Sequence, residues 1–181
     1  MTYNEFRQLR LYARYDGFYA SILLLGSFAS FLALSLTEAG SGAWMVLTSL
    51  SPLIVLLTPV FIFRRLCKFR DEGLGGVISV KRALFYVLRT TTNAAFFFSV
   101  LQYLYLQFAD QGTLMSVVER IIMGDQQQTE QILKGLGMTM SDYLAQLRAV
   151  SPVALACNSF VTLAFGGFIM SALMAPLAKR G

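Results

Sequence analysis

Histidine is absent from the 181 residues. Its absence removes imidazole catalysis, b-type haem ligation and most zinc sites. Charge is scarce as well: 14% of residues are charged and 56% hydrophobic, against roughly 25% charged in a soluble domain. With a mean hydropathy of +0.59, the chain reads as an integral membrane protein. The net charge of +5 would suggest nucleic acid for a soluble chain. Here no basic stripe with interleaved aromatics lies outside the apolar runs, so nucleic acid is excluded as a partner. Gly75 and Gly76 have neither P-loop nor dinucleotide spacing, and no cofactor is expected.

What is present is a set of long apolar runs, at about 17–36, 44–63, 83–108 and 152–177. The first is about 19 residues, longer than the ~7 to 15 of a cleaved signal, and no A-x-A site ends it, so it reads as a retained helix. At 1.5 Å per residue it reaches about 28 Å, close to the ~30 Å hydrocarbon thickness. In the second run, Trp44 marks interface depth and Pro52 and Pro59 predict a bend. The expected fold class is an all-α membrane protein of four transmembrane helices in one integral domain, with a small extracytoplasmic helical insertion at 109–151.

The runs are oriented by Arg64, Arg65, Lys68, Arg70, Lys81 and Arg82, which crowd between the second and third. Short basic loops stay on the cytoplasmic side, because translocating them is disfavoured. Arg7, Arg10 and Arg14 precede the first span, and Lys179-Arg180-Gly181 follows the last. Start, middle and end therefore agree on cytoplasmic N- and C-termini. The insertion holds five acids (Asp110, Glu119, Asp125, Glu130, Asp142) against three bases (Arg120, Lys134, Arg148), which suits the opposite face. Cys67 and Cys157 then lie on opposite sides, so they form neither a disulfide nor a two-cysteine metal site. Asp71 and Glu72 are adjacent, point apart on a helix, and read as a solvated turn.

The third span carries polar groups where a membrane helix rarely has them. At 100° per residue, Arg82, Tyr86, Arg89 and Asn93 fall within about 60° of one another. With Arg64, Arg65 and Lys68 in the adjoining loop, they form a candidate site for a lipid headgroup or lipid-carrier phosphate. The alternative is that Arg89 simply snorkels to the interface. No Asp or Glu falls inside any of the four runs, which disfavours a proton-coupled carrier.

Within the insertion, Leu114, Val117, Val118, Ile121 and Ile122 repeat at helical spacing. Asp125 is placed to cap a second short helix stopped by Gly135 and Gly137, and Thr139 to cap a third with Asp142 in its first turn. Helices this short must lay their apolar sides on the bundle, the membrane surface or a partner. Ser151 caps the fourth span, with Pro152 at its first position. Close helix packing is expected at Gly26, Ala29 and Ala33 in the first span and at Gly166, Gly167 and Ser171 in the last.

The stretches GGVISVKRA (Gly75 to Ala83) and QYLYLQFAD (Gln102 to Asp110), the Ser151-Pro152 restart and the Gly166-Gly167 span ending in KRG resemble the bacterial inner-membrane family catalogued as domain of unknown function 4199. Where that family commonly has proline after the acid at the third helix exit, this chain has Gln111 after Asp110. The resemblance implies a four-helix protein of the bacterial inner membrane with an extracytoplasmic helical insertion and no established activity. It also implies a membrane-associated glycosyltransferase of the polyprenyl-phosphate type as partner. The functional expectation is a non-enzymatic accessory or scaffold subunit that binds such a partner and anionic membrane lipids. The competing expectation is a lipid or small-solute translocator working as a homo-oligomer, since four helices alone rarely enclose a path.

Overall fold

A computed structural model describes residues 3–179, apart from the side chain of Asn4. The basic C-terminal expectation at Arg180 and Gly181 lies outside the described residues. The helices run α1 (Tyr3–Leu32), α2 (Gly42–Lys68), α3 (Val80–Phe108), α4 (Thr113–Gly124), α5 (Gln126–Gly135), α6 (Met140–Arg148) and α7 (Pro152–Ala178). α1, α2, α3 and α7 are long and apolar enough to cross a membrane, and α4 to α6 form the insertion. The protein is thus an all-α membrane protein of the expected arrangement.

Helix starts follow the capping chemistry in the sequence. Ser41, Ser79 and Ser151 each accept a hydrogen bond from a first-turn amide, of Trp44, Arg82 and Ala154 respectively, which satisfies one of the orphan donors there. Thr139 caps α6 through the amide of Asp142 at 3.2 Å and donates to its carboxylate at 2.6 Å. Asp125 precedes α5 without a side-chain cap, a correction to its expected role.

The spans differ from expectation at the basic end. α1 starts at Tyr3 rather than Gly17, α3 at Val80, and α2 continues past Phe63 to Lys68, followed by a π turn at Phe69–Gly73. An apolar window ends where charges begin, but a helix continues while one face stays buried. In α1, Leu9 and Ala13 are fully buried whereas Arg7, Arg10 and Arg14 are exposed. Pro52 and Pro59 both lie inside α2.

α3 is the central helix, packed along α1 on one side and α7 on the other, while α2 lies chiefly against α1. At the basic end Leu9, Ile62, Leu66, Phe69 and Val87 belong to one buried core, in which the Phe69 ring stacks on Tyr86 at 4.8 Å and 9°. Gly167 is buried against α3, and a Cβ there would sit 2.5 Å from Thr91 Cβ. Ser171 is buried on the same helix and bonds back to Phe168. The other expected packing positions differ. A Cβ on Gly26 or Gly166 would meet nothing within 4 Å, Ala29 is exposed, and Ala33 lies in the 3-10 turn that ends α1. The close approach of α1 to α3 is instead at Gly17, where a Cβ would lie 2.8 Å from Thr90 O.

At the opposite end, α4 is pinned to the α1–α2 corner. Arg120 donates to the carbonyls of Leu34 (3.1 Å) and Thr37 (2.7 Å), with its guanidinium 5.6 Å from the Trp44 ring centre. The exit from α3 turns without proline, through Gly112 at φ 88° and the Asp110 carboxylate accepting from the Leu114 amide at 3.1 Å. α5 and α6 pack on each other and α5 on α4. The Arg148–Glu119 pair at 2.7 Å ties α6 back to α4. That hydrogen bond holds the Glu119 carboxyl below its ordinary range.

Candidate functional site

The polar chemistry of the chain gathers at the basic end of the seam between α1 and α3. On α1, Leu9, Ala13, Asp16, Ala20 and Leu24 share the buried face at helical spacing. Asp16 is therefore inside the bundle, 1% exposed. Its Oδ1 accepts from Arg65 Nε at 2.5 Å, and its Oδ2 accepts the Tyr86 hydroxyl. One carboxylate thus ties α1 to both α2 and α3. This corrects the expectation that no acid falls inside a span. The carboxylate was hidden because the run of uncharged residues starts only at Gly17.

The expected stripe on α3 does lie along one side of the helix, but most of it faces α1. Arg82 pairs with Glu5 at 2.6 Å, Tyr86 is fully buried against Asp16, and Asn93 donates to the Ala13 carbonyl at 3.3 Å. Arg65 is likewise engaged by Asp16. Lys68 lies 3.7 Å from Glu72 on the surface. Arg64 and Arg89 are exposed and make no ion pair among the described residues. Of the seven nominated residues, then, three close the α1–α3 seam, one closes α1–α2, and the others are on the surface.

Asp16 was the residue that sequence reasoning missed as a site. One signal could have found it: an acid three residues after Ala13 and four before Ala20, in register with the apolar face. Its partners, 49 and 70 residues away, have no local signature. Arg70 is a second case. It is buried, chelates Asp71 at 2.7 and 3.0 Å, and reaches the Ala178 carbonyl at 3.2 Å. Arg70 thus clasps the end of α2 to the end of α7, while Asp71 and Glu72 stay exposed in the turn, as the sequence suggested.

Outside the seam, the cations left over are exposed on α1 and α3. Arg7, Arg10 and Arg14 fall within about 60° on α1, all exposed. On α3, Lys81, Phe85 and Arg89 follow at i, i+4 and i+8, also exposed. Where the two helices begin, Phe6, Ser79, Lys81, Arg82 and Phe85 line a cavity of about 360 Å³. It combines two aromatic walls with Lys81 and with Arg82, whose guanidinium is already engaged by Glu5, so Lys81 is the cation left to favour an anion there. Among the described residues no cluster of His, Cys, Asp and Glu could hold a metal. Cys67 and Cys157 are free thiols.

A family model described as protein of unknown function (DUF4199) matches residues 17–180. The chain belongs to the DUF4199 family. No curated protein and no solved structure matches it. For this DUF4199 chain the match covers α1 from Gly17 onward, the other three spans and the insertion, and it begins one residue after Asp16.

Proposed function

We propose that this DUF4199 protein is a non-enzymatic accessory subunit of the bacterial inner membrane, and that its basic α1–α3 face holds the anionic headgroup of a lipid or lipid-linked carrier. The observation that carries the reading is the division of its cations. Those inside the bundle have partners within the chain, whereas Arg7, Arg10, Arg14, Lys81 and Arg89 are exposed and make no ion pair among the described residues. Cations so placed at a membrane surface attract anionic headgroups by about 1 kcal/mol each. The termini and the α2–α3 loop would then face the cytoplasm and the insertion the outside.

The partner this reading calls for is a membrane-associated glycosyltransferase of the polyprenyl-phosphate type, to which the subunit would present the carrier phosphate. The second reading is a lipid or small-solute translocator working as a homo-oligomer, in which the path would lie between copies rather than through the packed core of one. A pull-down in mild detergent, read by mass spectrometry with lipid analysis, tests the proposal. The intact chain should retain anionic lipid and one recurrent membrane enzyme. Lys81→Gln with Arg89→Gln and Arg10→Gln should lose most of both. Unchanged lipid and partner content in the triple variant would reduce the cations to orientation signals, and substrate movement by the purified protein in vesicles would favour a translocator.

A further inference from the structure

On the other side of the bundle, α2 and α7 stand apart over a floor made by α1 and α3. The opening holds two cavities of about 330 and 190 Å³. They share Leu24, Val55, Thr162 and Leu163, and so form one continuous crevice. The lobe nearer the insertion is bordered by Asn158, Ser159 and the Ser27–Ser51 pair, and the deeper lobe by Pro59, Ile62 and Met170. No charged residue lines either lobe.

Among the described residues, α3 and α7 carry polar side chains without a hydrogen-bond partner: buried Thr90, Ser99 and Gln102 on α3, and the exposed or half-exposed Asn158, Ser159 and Thr162 on α7. Elsewhere in the spans, Ser30, Thr48, Ser49, Thr58, Thr92 and Ser171 each return a hydroxyl hydrogen bond to a carbonyl of their own helix. Ser27 and Ser51 donate to each other's carbonyls at 2.8 and 3.1 Å. Asn158, Ser159 and Thr162 make no hydrogen bond among the described residues, yet all three border the same crevice. Asn158 is seven residues past Ser151, about 10 Å along a helix roughly 40 Å long, and hence about 5 Å below the hydrocarbon boundary. Unmet polar groups at that depth are costly, and a ligand that meets them is stabilised.

We propose that this crevice binds a neutral membrane lipid. Asn158, Ser159 and Thr162 hydrogen-bond its uncharged ester, amide or hydroxyl groups, and one hydrocarbon chain occupies the deeper lobe beside Pro59, Ile62 and Met170. The absence of lining charge assigns the charged headgroup of any lipid to a place outside the crevice. The crevice is separate from the basic face and does not depend on what binds there.

Photolabelling of the full chain tests the site. The probe is diacylglycerol with a diazirine in one acyl chain, in vesicles of phosphatidylethanolamine and phosphatidylglycerol. Labels mapped to single residues should concentrate at Val55, Pro59 and Ile62 and at Asn158, Thr162 and Met170, and phosphatidic acid with the same chains should label them at least fivefold less. Gly166→Leu adds bulk where a Cβ meets nothing within 4 Å, so it should preserve the melting temperature and cut labelling at least fivefold. Asn158→Leu with Thr162→Val should weaken labelling without filling the lobe. Labelling spread over the outward-facing Phe165, Phe168 and Ile169, and insensitive to Gly166→Leu, would mean ordinary bilayer contact and overturn the proposal. Copy-to-copy cross-linking from a photoreactive residue at position 158 would overturn it in favour of a second protein chain.

Discussion

At the scale of single residues, the decisive feature is a carboxylate whose two oxygens serve two different helices. Asp16 is 1% exposed while the Arg65 side chain is 29% exposed, so the cation keeps a route to the surface and the anion does not. Removing either partner strands the other, at a cost of several kcal/mol for a buried pair. Asp16→Ala should therefore lower stability by about 3 kcal/mol, the small end of that range because Arg65 can reach water. Tyr86→Phe deletes one hydrogen bond to a charged acceptor and should cost about 1.5 kcal/mol. Asp16→Leu combined with Arg65→Leu replaces the pair by apolar volume and should lie closer to the parent than either single change. Thermal unfolding in one detergent orders the four proteins, and a double variant no better than the worse single would show that the pair does more than neutralise itself.

At the scale of elements, adjacent glycines on α7 separate two roles that sequence reading treated as one. Gly167 faces Thr91 across the α3–α7 contact, whereas Gly166 faces the open crevice. Gly167→Ala should destabilise by roughly 1–3 kcal/mol through overpacking, and Thr91→Gly in the same chain should recover part of it. Gly166→Ala should stay within about 0.5 kcal/mol of the parent. Equal melting temperatures for the two alanine variants would refute the contact. The insertion offers a pH test. Arg148 lowers the Glu119 carboxyl from its ordinary value of 4.5. The clasp between α4 and α6 is therefore fully present above about pH 4.5 and lost as pH falls through the lower folded value. Spin labels at Ser116 and Gln146 should report a distance that broadens only below that pH in the parent, and at every pH in Glu119→Gln. A parent distance that broadens already near neutrality would remove Glu119 as the cause.

At the scale of the whole molecule, the four spans, the insertion and the caps at Thr139 and Ser151 were legible because each leaves a local signal. The caps at Ser41 and Ser79 were not, because charge or glycine follows them before the apolar run begins. The interior of the basic end was not, because Asp16, Arg65, Tyr86 and Arg70 are matched across 49 to 108 residues and look like surface charges when read in order. The proposed orientation rests on the contrast between the cation-rich end and the acidic insertion. In a chain with Cys67 and Cys157 both changed to serine, a cysteine at Gln127, on exposed α5, should react in intact cells with a thiol reagent that cannot permeate. One at Gly73, in the turn closing α2, should react only after permeabilisation. The reverse pattern would put Lys81 and Arg89 on the outer surface, where a lipid-linked carrier would have to be met from the other side. The α2–α7 crevice would survive that reversal, since nothing in its binding depends on which leaflet supplies the chain.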